Sequence, residues 1–401
     1  MTMQNTAAII AATAPSAIAE RASLTRALDI VANVIERRNT IPILSNCRIQ
    51  GDGQTLFVTG TDIDIELVVA LPAAADSRLD TSVPAHGFRD FLKKATASDF
   101  VAITHEHDDS RDNVNLDFER VNYTLQALPG SDFPTLRGPS LIDFGGKPDS
   151  AYRNFRMTGP AFLDGINSVM GAMSSEETRY YLNGMFFHEY QNEFVMVATD
   201  GHRLYRRVMA LPEGAAAMPG VIIPRKTIAL LHKLLKGKAC PDHVDIEVTE
   251  ANARITWGDP DFHVTITTKL VDGTFPDYNR VIPTGNDKVA VFDADTLAEA
   301  VRAVSLVSSE RGRAVKFQMS KDNAALTVNN PDAGSAHADV ACSYDSYPLE
   351  IGFNASYFAD MIAVGAGKGE PITAKFSDSG SPALFTGSIE GWTGVLMPMR
   401  V

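Results

Sequence analysis

The sequence predicts an α+β protein of three similar domains in tandem, each with two helices packed on antiparallel sheets. Three observations carry this. An amphipathic helical pattern recurs in "SLTRALDIVANVIE", "AFLDGINSVMGAMS" and "TLAEAVRAVSLVSS", with Leu24, Phe162 and Leu297 at matching places, 138 and 135 residues apart. A second helix start follows each copy. Each copy then ends on a proline, in "DFP" at 132–134, "TFP" at 274–276 and "LMP" at 396–398.

Taken in order, residues 1–18 are Ala-rich and read as a loose leader; no basic region precedes the apolar run, and no stretch reaches the length of a membrane span. The first helix buries Leu24, Leu28, Val31 and Ile35 as one stripe. In "TDIDIELVVALP", Ile63, Ile65 and Leu67 alternate with Asp62, Asp64 and Glu66, the period of a strand with one wet face. Pro84 then opens a helix that buries Phe88, since a proline at the first helical position gives up no hydrogen bond. The second copy repeats the order with Phe162, Ile166, Val169 and Met173, then Pro224 and Ile228. The third has Leu297, Val301 and Val304, then Asn354 as a helix cap and Phe358. The Gly/Pro/Asp-rich stretches "GPSLIDFGGKPDS" and "IPTGNDK" read as linkers, which places the domains at 1–148, 149–284 and 285–401. Three tandem copies related by one rotation form an arc or a ring.

Composition narrows the function. A net charge of −13 argues against a protein that coats nucleic acid with its whole surface. The segment 221–240 is the exception, with Arg225, Lys226, Lys233, Lys236 and Lys238 and no carboxylate. Cys47, Cys240 and Cys342 have no paired spacing, so neither disulfides nor a cysteine metal site is expected, and the reading is cytoplasmic. The cluster "HEHDD", with His105, His107, Asp108 and Asp109, has metal-ligand chemistry but continues into "SRDN", and is expected to be a solvated loop. No metal or cofactor is expected.

The stretch "VATDGHRLYRR" at 197–207 sets Asp200, Gly201, His202 and Arg203 side by side. Asp-Gly between two apolar runs is a hairpin signal. In the first copy Ile63 stands opposite Gly201 and Asp64 opposite His202, and that copy is expected to run on as a strand where the middle one turns. His202 has no nucleophile or metal motif to work with, as the sequence holds no GxSxG, HExxH or Gly-rich phosphate loop; an enzyme is not expected.

From about Glu20 to Val401 the chain resembles the β subunits of bacterial DNA polymerase III, the sliding clamps. The stretches "TIPILSN", "RYYLNGM", "VATDGHRL", "VIIPRK", "LVDGTFPDYNRVIP", "NNP", "LEIGFN" and "MPMRV" carry the likeness in the family's order. The resemblance implies three DNA-clamp domains per chain, forming half of a six-domain ring, and a homodimer that encircles duplex DNA without reading its sequence. It implies a processivity factor that tethers the replicative DNA polymerase, the clamp loader and other proteins bearing a clamp-binding motif. The pocket for their peptides would be lined by Leu182, Thr199, Gly201, His202, Arg203, Leu204, Pro276, Arg280 and Val281 of the middle domain. From the last domain it would take Asn354, Tyr357, Val395, Met397, Pro398, Met399 and Arg400. DNA contacts fall on Arg38, Tyr180 and Tyr181, with Arg225 and Lys226 as further candidates on the basic helix, and the subunit interface on Leu306 and Val307.

Several positions depart from the family. His86 and Gly87 stand where basic residues are common, Glu176 and Glu177 precede the Tyr180–Tyr181 pair, and the helix 161–173 has no cation. The leader and the region 105–150 are extra. Two alternatives remain at this stage: a divergent clamp paralogue that binds peptides without encircling DNA, and a hydrolase built on His202.

Overall fold

A computed structural model describes residues 14–96, 98–108, 111–118, 121–140, 149–237, 240–308 and 314–400. Among these lie six α-helices: α1 (Arg21–Val31), α2 (Ala85–Lys94), α3 (Gly159–Val169), α4 (Arg225–Leu235), α5 (Ala294–Ser305) and α6 (Ala355–Gly365). They are the two helices of each sequence repeat. The remaining regular structure among the described residues is antiparallel strand with short 3-10 helices, among them Glu177–Leu182 and Tyr278–Val281.

The chain divides into two compact units that do not follow the repeats, residues 1–160 with 233–270 and residues 161–232 with 271–401. Strand pairing explains the division. In the first unit, Phe262–Lys269 of the middle repeat pairs with Ile65–Ala75 of the first, setting Thr267 opposite Glu66. In the second, Arg203–Ala210 of the middle repeat pairs with Trp392–Leu396 of the last, setting Leu204 opposite Val395. Each unit is thus built around a sheet that runs through a repeat junction.

The helical stripes are buried as their period requires. Leu24, Leu28, Val31, Phe88 and Leu92 form one core, and Leu297, Val301, Val304, Phe358, Met361 and Ile362 another. The first helix is shorter than its apolar pattern. It stops at Val31, where the Asn33 amide donates to the carbonyls of Asp29 (2.9 Å) and Ile30 (2.8 Å) and so satisfies the last turn. Val34 and Ile35 stay buried in the turn that follows. The second helices begin one residue later than expected. Pro84 and Pro224 close the preceding strands, and Asn354 caps α6 by accepting from the backbone N–H groups of Ser356 (3.0 Å) and Tyr357 (3.2 Å).

Three expectations are corrected. Residues 16–18 are not a loose leader: Ser16–Glu20 is a strand between Ile65–Ala75 and Phe100–Asp108, with Ala17, Ile18 and Ala19 buried. Residues 1–13 lie outside the described residues. The alternation in "TDIDIELVVALP" is not one strand with a wet face. A turn at Asp62–Asp64 separates two strands, and Ile65, Glu66 and Leu67 are all buried because the second strand is internal to its sheet. Finally, "HEHDD" does not begin a solvated loop. His105 and His107 lie in the strand Phe100–Asp108, paired with Arg111–Asp117, and His105 Nε2 lies 2.7 Å from an Asp112 carboxylate oxygen. Asp109 lies outside the described residues, among which no group of three or more His, Cys, Asp or Glu side chains is placed to hold a metal.

Candidate functional site

Within the second unit, the turn Thr199–Arg203 is closed by its own polar side chains. Asp200 Oδ1 accepts from the backbone N–H groups of His202 and Arg203, both at 2.9 Å. The Thr199 hydroxyl donates to the Arg203 carbonyl at 2.7 Å and accepts from Gly201 N–H at 3.1 Å. Gly201 has φ +87°, the conformation for which glycine is suited.

The first repeat makes the same turn, contrary to the expectation of a continuous strand. Thr61 donates to the Ile65 carbonyl (2.9 Å) and accepts from Ile63, while Asp62 accepts from Asp64 (3.0 Å) and Ile65 (2.7 Å). Ile63 has φ +80°, a strained conformation for a β-branched residue, and is 42% exposed. The two turns share a backbone and differ in what they present.

Beside the Thr199–Arg203 turn, Leu182, Leu204 and Val395 are buried together with Val195, Val197, Ile222, Phe275 and Tyr278. They form an apolar floor. Around it Pro276, Val281, His202 and Met397 are exposed, and Met397 N–H donates to the His202 carbonyl at 2.9 Å. Met399 N–H donates to the Gly352 carbonyl at 2.9 Å, fixing the segment that carries Pro398 and Arg400. Asn354 caps the helix that carries Tyr357, whose half-buried ring faces that of His202 at 6.2 Å and 25°. Arg203 is tied down: its side chain is 11% exposed and bonds Asp200 (3.2 Å) and Asp360 (2.8 Å). Arg280 is exposed and pairs with Asp277 at 3.1 Å. The structure thus brings Leu182, Leu204 and Val395 together as a floor, and Thr199, Gly201, His202, Arg203, Tyr357 and Met397 around one turn.

Phe275, Tyr278 and Asp360 were missed in the sequence. Phe275 stacks on Phe186 with ring centroids 4.8 Å apart, and the Tyr278 hydroxyl lies 3.0 Å from His188 Nε2. Burial holds His188 below the usual histidine range, so it is neutral near pH 7. Their signal was present in "TFPDY", where two aromatics flank Pro276.

The candidate nucleic-acid residues are spread more widely. Arg38 is exposed, Tyr180 is exposed, and Tyr181 is half-buried against the apolar cluster, edge-on to Tyr180 at 5.7 Å. On α4 the exposed residues include Arg225, Lys226 and Lys233, and Lys236 follows the helix. Lys238 lies outside the described residues. Arg225 also donates to the Ser174 carbonyl at 3.2 Å. Glu176 is bonded to Arg179, whose guanidinium holds that carboxyl below the usual range and offsets its charge beside the tyrosines. At the end of α5, Leu306 is 86% exposed, whereas Val307 is half-buried and its carbonyl accepts from Asn330.

Comparison with known proteins decides the family. The three profiles of the DNA polymerase III beta subunit match in order, the N-terminal domain at 17–137, the central domain at 158–277 and the C-terminal domain at 279–400. The chain belongs to the DNA polymerase III beta subunit family. It is 37% identical to the beta sliding clamp of Caulobacter vibrioides over 387 residues, which cover 95% of this chain and 99% of that one. With the Escherichia coli K12 clamp it shares 33% identity over 388 residues, again 95% and 99%. A Caulobacter crescentus clamp structure superposes with a TM-score of 0.86 at 36% identity, covering 97% of this chain and 99% of that one. The Bartonella birtlesii clamp bound to griselimycin gives 0.83 at 36%, covering 96% and 100%. The clamp therefore consists of three tandem α+β clamp domains and acts as a processivity factor in DNA replication, not as an enzyme. Among the described residues no helix is long and apolar enough to cross a membrane.

Proposed function

We propose that two copies of this clamp close into a ring around duplex DNA in the cytoplasm, and that each copy seats short client peptides in the cleft of its second unit. The clients would be the replicative polymerase, the clamp loader and other proteins bearing such a peptide. The observation that carries the peptide reading is the buried floor of Leu182, Leu204 and Val395 beside exposed Val281 and Met397. Apolar residues with an adaptable methionine at the rim suit a peptide's hydrophobic anchors. Thr199, Gly201, Pro276, Arg280, Asn354, Pro398, Met399 and Arg400 complete the walls, and His202 offers a polar contact.

The domain boundaries are placed near 148/149 and 284/285, and two observations support them. The first falls between the matched N-terminal and central domains. For the second, the Asn286 amide donates to the carbonyls of Lys375 and Pro382, which attaches residue 286 to the last domain. Arg38, Tyr180, Tyr181 and Lys226 are proposed to face DNA, with Arg225 contributing charge beyond its bond to Ser174. Leu306 is the apolar anchor of the subunit interface, with Val307 beside it.

Two measurements test the reading. A closed ring stays on circular DNA at raised salt and leaves when the circle is cut, because only an open end releases it; equal loss from both forms refutes encirclement. For the cleft, a peptide carrying Gln, Leu and a terminal apolar residue should bind with micromolar affinity. Burying two or three apolar side chains contributes roughly 3–8 kcal/mol before the peptide's ordering cost is subtracted. Deleting residues 397–401 should abolish this binding and leave the dimer intact. Full binding after the deletion places the peptide elsewhere.

A further inference from the structure

We propose that Asp360 is a positioning residue of the peptide cleft, holding the Arg203 guanidinium against Tyr357 and so fixing the aromatic wall before a peptide arrives. The inference rests on the reading of this cleft as a peptide site.

Arg203 is not needed for its own turn. The side chains of Thr199 and Asp200 close that turn, and the first repeat closes the same one with Ile65, a buried apolar residue, in the place of Arg203. Its side chain instead joins the turn to α6. Nη1 donates to Asp360 Oδ2 at 2.8 Å, Nε to Asp200 Oδ2 at 3.2 Å, and the guanidinium carbon lies 4.3 Å from the Tyr357 ring centroid. Asp360 follows Tyr357 by three residues on α6, so ring and carboxylate project from neighbouring places on one face.

A planar guanidinium can lie against a ring while its edge N–H groups reach two carboxylates. An ammonium cannot do both. The ring of Tyr357 meets His202 as well, so two consecutive residues of the turn set its position. Without the charge on Asp360, Arg203 keeps Asp200, a partner in its own turn, and is drawn toward α6 only by the face of the Tyr357 ring, so ring and guanidinium hold each other less firmly. The ring would then be ordered only when the peptide binds, which weakens affinity without removing a peptide contact.

The test uses the full-length clamp and a fluorescein-labelled peptide carrying Gln, Leu and a terminal Phe, titrated by fluorescence anisotropy. Asp360→Asn should weaken binding about 3- to 10-fold, the range set by ordering one side chain on binding. Asp360→Glu should restore it to within about twofold, because the carboxylate returns. Arg203→Lys should be as weak as Asp360→Asn, and thermal unfolding of all three should show them folded. Wild-type affinity in Asp360→Asn overturns the proposal, as does an Asp360→Glu protein as weak as Asp360→Asn. If the wild-type clamp fails to bind the peptide, the reading of the cleft itself falls, a result distinct from either.

Discussion

Gly201 is the residue at which a single added side chain should do most to the cleft. In Gly201→Val a β-branched residue must hold φ near +87°, at a cost of about 1–3 kcal/mol. The loss of glycine's freedom in the unfolded chain returns about 0.4–1 kcal/mol. A Cβ at this position would also come within 2.6 Å of Arg179 Nη1, the far end of a flexible side chain, so Arg179 swings away from its exposed pair with Glu176. For a β-branched residue the strain lies in the upper part of its range, about 2–3 kcal/mol, so the net destabilisation after the offset is about 1–3 kcal/mol. For a compact unit of this size that lowers the melting temperature by about 2–12 °C. Differential scanning calorimetry of the full chain should show it in one of two transitions, while the turn itself survives, since Ile63 shows that this backbone accepts a β-branched residue. An unchanged melting profile for Gly201→Val would refute the positive φ at this position.

Other perturbations read other parts of the molecule. Replacing Leu306 and Val307 by Asp should give folded monomers by analytical ultracentrifugation, with Leu306 carrying most of the effect because it is the exposed one; a dimer that persists at low concentration moves the interface elsewhere. Neutralising Arg38 and Lys226 should weaken DNA retention alike on all sequences and flatten its salt dependence by about one unit per lost phosphate contact, with Arg225 adding less because it also serves Ser174; an unchanged slope removes these residues from the DNA face. Burial pushes the Glu66 carboxyl above the usual range, against the smaller opposing effects of the Leu136 N–H and of Arg48 and Arg254. A raised folded value means that stability is fully present below the unfolded carboxyl's pKa and falls as pH rises through the folded one. Glu66→Gln should therefore gain on wild type in melting temperature between pH 4 and pH 8, and a gap that stays constant or narrows would show that burial does not dominate there.

The helices were legible because a 3.6-residue stripe records one buried face, and both the order Leu24, Phe88 and the order Leu297, Phe358 survive in the structure. The turn at Ile63 was not legible. A positive φ is normally announced by glycine or asparagine, and here isoleucine kept the alternation of a strand while Asp62 supplied the bonds that bend the chain. The strand Ser16–Glu20 was hidden because "SAIAE" has one β-branched residue; it is a strand by virtue of two neighbours far along the chain. In the cleft, composition identified the residue types, but Leu204 and Val395 meet through a strand pairing across nearly two hundred residues, which only the repeats and the family likeness brought within reach. Asp360 carried a faint local signal, a carboxylate three residues beyond an aromatic, and no indication of its distant arginine.

The two repeat junctions share a turn and a strand pairing, yet where one has Leu204 opposite Val395 the other has Glu66 opposite Thr267, with the carboxylate of Glu66 accepting from Leu136 N–H at 3.0 Å. An apolar side chain brought to the Leu204–Val395 pair would meet its own kind; at the Glu66–Thr267 pair it would have to strip a buried carboxylate of its partner. On the reading proposed above, each chain would offer a client one such apolar seat among the described residues, and a two-chain ring would offer two. Such a ring would keep one protein at work while a second waits aboard, and a third would have to displace one of them. Traffic on the DNA would then be governed by rivalry for scarce berths, and the difference would trace to the exchange of one apolar pair for one polar pair.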